Sequence, residues 1–163
     1  MENTHQKTAG LIKAGLVAAL YVVLTVAFIP WSYGPIQLRL SEMLNNLAVF
    51  NKRYIWALTI GCVIANLWSS LGALDVIFGS LGTLMMTGIS YLLSRHVSSK
   101  VGKLVISVIV CALSSWSVAL ELYFISNAPF WATYLTVAIG EFISVILGAI
   151  VIGIISYRID LKS

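Results

Sequence analysis

The sequence predicts an all-α membrane protein that folds as a single bundle of six transmembrane helices. Composition is the first reason: 60% of the 163 residues are apolar and 10% are charged, with a mean hydropathy of +0.97, whereas charged residues make up about 25% of a typical soluble domain. The placement of charge is the second, because nine of the ten Lys and Arg residues lie at the termini or in two short connections. Most of the chain is therefore expected in lipid.

The spans follow from apolar stretches close to the roughly 20 residues that a helix needs to cross the hydrocarbon. They cover residues 10–29, 38–50, 54–70, 75–93, 101–125 and 130–157. The first is longer than the apolar core of a signal peptide and ends at Pro30 without a typical cleavage site, so it is expected to be retained. The second is short, and the sixth is long enough to tilt or to project into water. The brief connections leave one domain, 1–163.

Orientation follows from the positive-inside rule, by which short loops rich in Lys and Arg stay in the cytoplasm. With six spans, both termini and the connections that hold Lys52, Arg53, Arg95, Lys100 and Lys103 fall on one side. The connections of the other side carry no Lys or Arg. Both termini are therefore expected in the cytoplasm, and the net charge of +4 needs no nucleic-acid partner to explain it.

Four of the six acidic residues interrupt this apolar pattern: Glu42, Asp75, Glu121 and Glu141. A carboxylate inside a membrane helix costs a few kcal/mol on insertion scales, and it normally faces a cavity or a partner. In the six-span topology all four lie in the outer half or near the middle, with Glu141 roughly 18 Å below the start of its span. This asymmetry predicts an acidic pocket that opens to the outside.

Each polar residue also has a purely structural interpretation. Asp75 could cap its helix. Arg39 and Glu42, three residues apart, could form a local ion pair, and Glu121 and Glu141 could pair with Arg39 instead of binding a ligand. Amides at membrane depth more often bridge helices than bind ligands, and they are Asn45, Asn46 and Asn66.

Aromatic residues crowd the same outer side. An interfacial belt is the ordinary role of Trp and Tyr there. Aromatic rings beside carboxylates and amides also suit a flat, nitrogen-rich ligand, because the rings stack on a heterocycle and the carboxylates accept from its N–H groups. The residues are Trp31, Tyr33, Trp68, Tyr123, Phe124, Phe130, Trp131 and Tyr134.

Small residues recur four apart in three of the spans. Such faces let helix backbones approach closely in lipid, either inside the bundle or against a partner helix. They are Gly10, Ala14 and Ala18 in the first span, Gly61 and Ala65 in the third, and Gly140, Ser144 and Gly148 in the sixth. In the first span, the offset pair Gly15 and Ala19 widens the face, so an external partner helix and internal packing both stay open as interpretations.

The sequence does not favour an enzyme. Both histidines, His5 and His96, lie at the cytoplasmic edge, away from the acids. Cys62 and Cys111 have no metal-ligand spacing and are interpreted as packing residues, so neither a metal site nor a cofactor is expected.

One stretch resembles a known family. The run Pro35-Ile36-Gln37-Leu38-Arg39-Leu40-Ser41-Glu42, followed by Leu44-Asn45-Asn46-Leu47 and Phe50-Asn51, is similar to the QueT family. The likeness continues through 59–66 and 71–79 and covers most of the chain to about Ser90. Members of this family are substrate-binding S components of energy-coupling factor (ECF) transporters, assigned to the uptake of queuosine precursors.

The resemblance implies an S-component-like six-helix bundle in a bacterial cell membrane. Such a protein captures a deazaguanine base from outside and docks with a transmembrane coupling subunit and two ATP-binding subunits. In that family the first helix offers an AxxxA-type face, which Ala14 and Ala18 match, and we add Gly10 to it. The chain has no GxxxxGK[ST] phosphate loop, so the energy would come from the partners.

The resemblance also suggests roles for the acids. Glu141 or Glu121 would accept two adjacent donors of a guanine-like edge, and a second carboxylate would hold an aminomethyl cation. Arg39, Gln37 or an Asn would serve the ring carbonyl, with residues 30–37 as a lid. The expected site is completed by Glu42, Asn46, Asp75 and Tyr33. The alternatives are an S component for another vitamin or nucleobase and a stand-alone proton-coupled carrier.

Overall fold

The computed structural model describes residues 2–33 and 38–161, and the regular secondary structure of this part of the chain is all helical. Two 3-10 helices accompany the α-helices: Leu40–Leu47, which we call the central segment, and Asn66–Trp68, which continues α3. The α-helices are α1 Glu2–Ala27, α2 Ile29–Ser32, α3 Arg53–Ala65, α4 Ala73–Ser94, α5 Lys100–Ser114, α6 Trp116–Ser126 and α7 Phe130–Arg158.

Four helical stretches are long and apolar enough to cross a membrane: Lys7–Ala27, Ala73–Ser94, Lys100–Ser126 and Phe130–Arg158. The shorter apolar stretch Arg53–Trp68 corresponds to the third predicted span. The all-α, multi-pass class is therefore confirmed. The count of six transmembrane helices is not, because the second and third predicted spans are too short to count by length.

The prediction of a transmembrane α-helix over 38–50 is wrong about the type of helix. The chain forms the central segment there, and the segment is buried on almost every side, including its amides Asn45 and Asn46. It packs against α1, α3, α5 and α7. A 3-10 helix rises roughly 2 Å per residue, compared with 1.5 Å in an α-helix, so a short segment reaches further through the protein.

The central segment runs antiparallel to α1. Near its start, the hydroxyls of Thr25 and Ser41 lie 2.7 Å apart, and the chain reaches Gly10 of α1 at Arg53. From there α3 returns alongside α1, and at Gly61 an added Cβ would lie 2.9 Å from the Cβ of Tyr21. The segment, α1 and α3 thus cover the same depth of the molecule.

The central segment also meets α7 at very close range. A Cβ added at Gly148 would overlap the carbonyl oxygen of Met43 and would lie 2.6 Å from its Cα. Glycine at this position is what lets the two backbones touch. The largest apolar core is built around this contact and includes Tyr21, Leu44, Leu47, Val49, Leu58, Cys62 and Ile152.

The fifth predicted span, 101–125, is two helices rather than one. It is interrupted at Ser115, between α5 and α6. The fourth and sixth predicted spans, 75–93 and 130–157, coincide with α4 and α7 to within two residues at each end.

Candidate functional site

Five charged residues from four elements gather beside the first half of the central segment. Each is less than a tenth exposed: Arg39 7%, Glu42 3%, Asp75 4%, Glu121 2% and Glu141 8%. Burial of so many charges in one place needs either mutual pairing or a ligand. The hydrogen bonds of each residue distinguish these two cases.

Glu42 has its partners within the protein. The hydroxyl of Tyr21 donates to Oε1 at 2.5 Å, and Nδ2 of Asn45 donates to Oε2 at 2.5 Å. The same amide lies 3.4 Å from the sulfur of Met86 on α4. Both carboxylate oxygens are thus occupied, one by α1 and the other by the central segment itself.

Arg39 pairs with Asp75, not with Glu42. Its Nη2 lies 3.5 Å from Oδ2 of Asp75, its Nε donates to the carbonyl of Ser32 at 3.4 Å, and its guanidinium stands 4.9 Å from the centre of the Tyr33 ring. The local ion-pair interpretation of Arg39 and Glu42 is therefore wrong. Asp75 lies in the first turn of α4, but its carboxylate serves this pair rather than a helix cap.

Asn66 and Tyr33 connect the end of α2 to the end of α3 and to the start of α4. The Tyr33 hydroxyl, which has a single hydrogen to donate, lies 3.0 Å from the carbonyl oxygen of Ala65 and 3.2 Å from Oδ1 of Asn66. Nδ2 of Asn66 in turn donates to the backbone carbonyl of Asp75 at 2.8 Å. A Cβ at Gly79 would lie 2.5 Å from that Nδ2, so only glycine permits this approach.

Glu121 and Glu141 differ from the other acids because each keeps an open acceptor. In both, Oε1 is buried and has no hydrogen-bond partner among the described residues. Arg39 forms its ion pair with Asp75, so the structural pairing of Glu121 or Glu141 with Arg39 does not occur. Buried acceptors are rarely left unsatisfied.

A small cavity lies where Glu141 and Glu42 approach. Its volume is about 20 Å³, enough for a single water molecule. The walls come from the central segment, α4, α6 and α7, and they consist of Arg39, Glu42, Gly79, Thr83, Met86, Ser115, Val118, Val137 and Glu141. The cavity is much smaller than a heterocyclic base, so a larger ligand requires its walls to move apart.

The cavity brings together only some of the expected residues. Arg39, Glu42 and Glu141 line it, and Glu121 lies one turn of α6 beyond Val118. Asn46 does not line it, because its amide donates to the carbonyl of Val145 at 2.9 Å and bridges the central segment to α7. Tyr33 and Asp75 support Arg39 from outside the cavity. Gln37 lies outside the described residues.

Sequence reasoning missed several side chains of the site. Tyr21 was the largest omission, since it holds Glu42 from a helix interpreted only as a packing surface. The sequence feature that could have indicated this role is the phenol of Tyr21 with Thr25 one turn later, both at the predicted depth of the acids. Ser115 and Thr83 were also missed. Within an apolar run, the sequence does not distinguish a hydroxyl that faces a cavity from one that hydrogen-bonds to its own helix.

A second feature is an apolar groove of about 680 Å³ between α1 and α3. The predicted small-residue face of the first span forms one wall of it. The groove is lined by Lys7, Gly10, Leu11, Ala14, Gly15, Ala18, Arg53, Trp56, Ala57 and Ile60. Its basic residues, Lys7 and Arg53, both lie at the end where α3 begins.

Two comparisons with known proteins bear on these sites. The family model of the QueT transporter matches residues 11–157. The chain is 42% identical over 165 residues to the "Queuosine precursor transporter QueT" of Lactococcus lactis subsp. cremoris (strain MG1363), an alignment that covers 96% of this chain and 97% of that protein. No solved structure matches the chain significantly. Because the family model and this relative span nearly the whole sequence, the chain belongs to the QueT transporter family.

Proposed function

We propose that this chain is the substrate-binding S component of an ECF transporter, and that it captures a queuosine precursor, a deazaguanine base, from outside the cell for ATP-driven uptake. The family and the relative are transporters and not enzymes. The relative's substrate is a queuosine precursor, and the buried acids of this chain suit such a base.

The observation that carries the proposal is the open acceptor of Glu141 at the cavity. A guanine-like ring presents a ring N–H and an exocyclic amine side by side, and one ionised carboxylate can accept from both. Adenine lacks this pair of adjacent donors, so it would leave the carboxylate unsatisfied in a buried site. Glu141 therefore selects a guanine-like edge.

The two other acids near the cavity take different roles. Glu42 already accepts from Tyr21 and Asn45, so it fixes the wall of the cavity rather than binding the ring. Glu121 keeps an open Oε1 and lies further along α6. Its position suits the aminomethyl cation that a queuosine precursor carries on its five-membered ring.

We further propose six passes through the membrane, with both termini in the cytoplasm and the acids toward the outside. The descent of the central segment beside α1 and the return of α3 support the two passes that helix length alone does not count. A cysteine at position 52, in a chain without Cys62 and Cys111, should react with a membrane-impermeant label only from the cytoplasmic side. Labelling from outside alone would overturn this topology.

The groove between α1 and α3 is the proposed docking surface for the transmembrane coupling subunit, which in turn binds two ATP-binding subunits. Gly10, Ala14 and Ala18 line it, so a helix of the partner could approach the backbone of α1 closely. Small residues make up most of the α1 wall, beside Lys7 and Leu11. The same face of α1 continues past Ala18 to Tyr21 and Thr25, which are fully buried.

Binding to the purified protein tests the acidic site. Glu141→Gln replaces an acceptor with a donor that faces ligand donors, so the dissociation constant of 7-aminomethyl-7-deazaguanine should rise about a hundredfold. Glu121→Gln should weaken the aminomethyl compound more than its cyano analogue. Asp160→Asn, which removes an exposed acid beyond α7, is the matched control. Unchanged affinity in both Glu variants, measured by titration calorimetry, would contradict the proposed site.

A further inference from the structure

The interruption between α5 and α6 occurs at the wall of the cavity. Ser115 is 2% exposed, its hydroxyl has no hydrogen-bond partner in the described part of the chain, and it lines the cavity. Val118, one turn later, lines the cavity as well. The first turn of α6 therefore faces the same space as the open acceptor of Glu141.

At this interruption, two side-chain hydroxyls donate to backbone carbonyls of α5. The carbonyl of Leu113 accepts from the Tyr134 hydroxyl at 3.4 Å, and the carbonyl of Ser114 accepts from the Ser117 hydroxyl at 3.0 Å. In a continuous α-helix these two carbonyls would accept from the backbone N–H groups of residues 117 and 118. Helical bonding resumes only where the N–H of Ala119 donates to the carbonyl of Ser115 at 3.1 Å.

The start of α6 consequently has the properties of a helix N-terminus inside the protein. The N–H groups of its first turn have no helical carbonyl to donate to, and the aligned peptide dipoles give this end a partial positive charge. The unpartnered Ser115 hydroxyl adds a donor that can rotate toward the cavity. The cavity thus has a donor wall on α6 and an acceptor wall on α7.

We propose that Ser115 and the first turn of α6 donate hydrogen bonds to the ring carbonyl oxygen of the deazaguanine. This inference rests on the proposed function. In such a ring the carbonyl adjoins the ring N–H, so a ligand whose donor edge meets Glu141 brings its acceptor oxygen to a neighbouring wall. Arg39 lines the cavity too, but Asp75, Ser32 and Tyr33 already engage it.

A pair of ligands isolates this contact. The 6-thio analogue of 7-aminomethyl-7-deazaguanine keeps the ring N–H and the amine but replaces the carbonyl oxygen with a poorer acceptor. Ser115→Ala should weaken the oxo ligand about tenfold and the thio ligand much less, because only the oxo ligand loses a strong hydrogen bond. Ser115→Thr, which keeps the hydroxyl, should retain the wild-type preference for oxygen over sulfur.

Ser107→Ala is the matched control, since Ser107 is an equally buried serine two turns earlier that does not line the cavity. It should leave both affinities unchanged. An equal loss for both ligands in Ser115→Ala, or an unchanged oxo affinity, would overturn the role of Ser115 while leaving the acidic site in place. Failure of the unaltered protein to bind either ligand would overturn the proposed function, and this inference with it.

Discussion

Two faces of small residues, one on α7 and one on α1, look alike in the sequence and differ in the structure. On α7, Gly140, Ser144 and Gly148 are all buried, and the backbone of the central segment lies directly on Gly148. On α1, Gly10, Ala14 and Ala18 border a groove of about 680 Å³. One face is filled by the chain itself, and the other is left open.

The difference shows what small residues four apart do and do not predict. They predict that a backbone can approach closely, and at Gly148 and Gly61 one does. They do not predict whose backbone it is. That depends on whether the chain has another segment to place there. On the α1 face, α3 approaches closely at Ala18 through Gly61 and at Gly10 through the guanidinium of Arg53, and the groove lies between these two contacts.

The largest expected effect tests the open face. Ala14→Trp should abolish uptake by the assembled transporter, because bulk in the groove prevents a partner helix from approaching α1. Ligand binding by the isolated protein should persist, since Ala14 is remote from the cavity. Leu16→Trp, on the same helix but outside the groove, is the control and should preserve uptake. Parallel loss of binding and uptake in Ala14→Trp would mean that the groove serves internal packing.

The next effect tests the filled face. Gly148→Ala places a Cβ on the backbone of Met43, where no flexible side chain can move aside, so the free energy of unfolding should fall by about 3 kcal/mol. Gly88→Ala is the matched control, because a Cβ there meets nothing within 4 Å. Thermal unfolding in detergent should separate the two variants clearly. Equal stability would show that the central segment does not rest on α7.

The smallest effect concerns the hydrogen bonds that hold the central segment in place. Glu42→Gln turns one acceptor into a donor that faces the amide of Asn45, and we expect a loss of about 2 kcal/mol in stability. Glu141→Gln should lose little stability, since its open oxygen has no partner to lose. Thermal unfolding of the two ligand-free variants is the measurement. A greater loss in Glu141→Gln would reverse the roles given to these two acids.

Hydropathy was sufficient to predict the long helices. The fourth and sixth spans coincide with α4 and α7 because a continuous apolar run has few alternatives in lipid. The central segment could not be predicted in this way. Its apolar residues, Leu40, Met43, Leu44 and Leu47, have the spacing of an α-helix, so the pattern does not indicate a 3-10 helix. Its form depends on contacts with four other helices.

The acids of the site were predictable, but their partners were not. Residues three apart pair on a helix, which suggested Arg39 with Glu42. Arg39, however, has an extended backbone, with φ −88° and ψ 103°, and lies just before the segment begins. The spacing rule does not apply there. The actual partners, Asp75 for Arg39 and Tyr21 for Glu42, come from helices that only the tertiary fold brings near.

Tyr21 links the groove to the interior. Its ring lies over Gly61 and its hydroxyl holds Glu42, while the residues one and two turns earlier, Ala18 and Ala14, line the groove. Rotation of α1 about its axis would therefore withdraw the phenol from the carboxylate and expose a charge to an apolar surrounding. The contact between Tyr21 and Glu42 therefore resists rotation of α1. A partner bound in the groove would contact the same helix that positions the wall of the cavity.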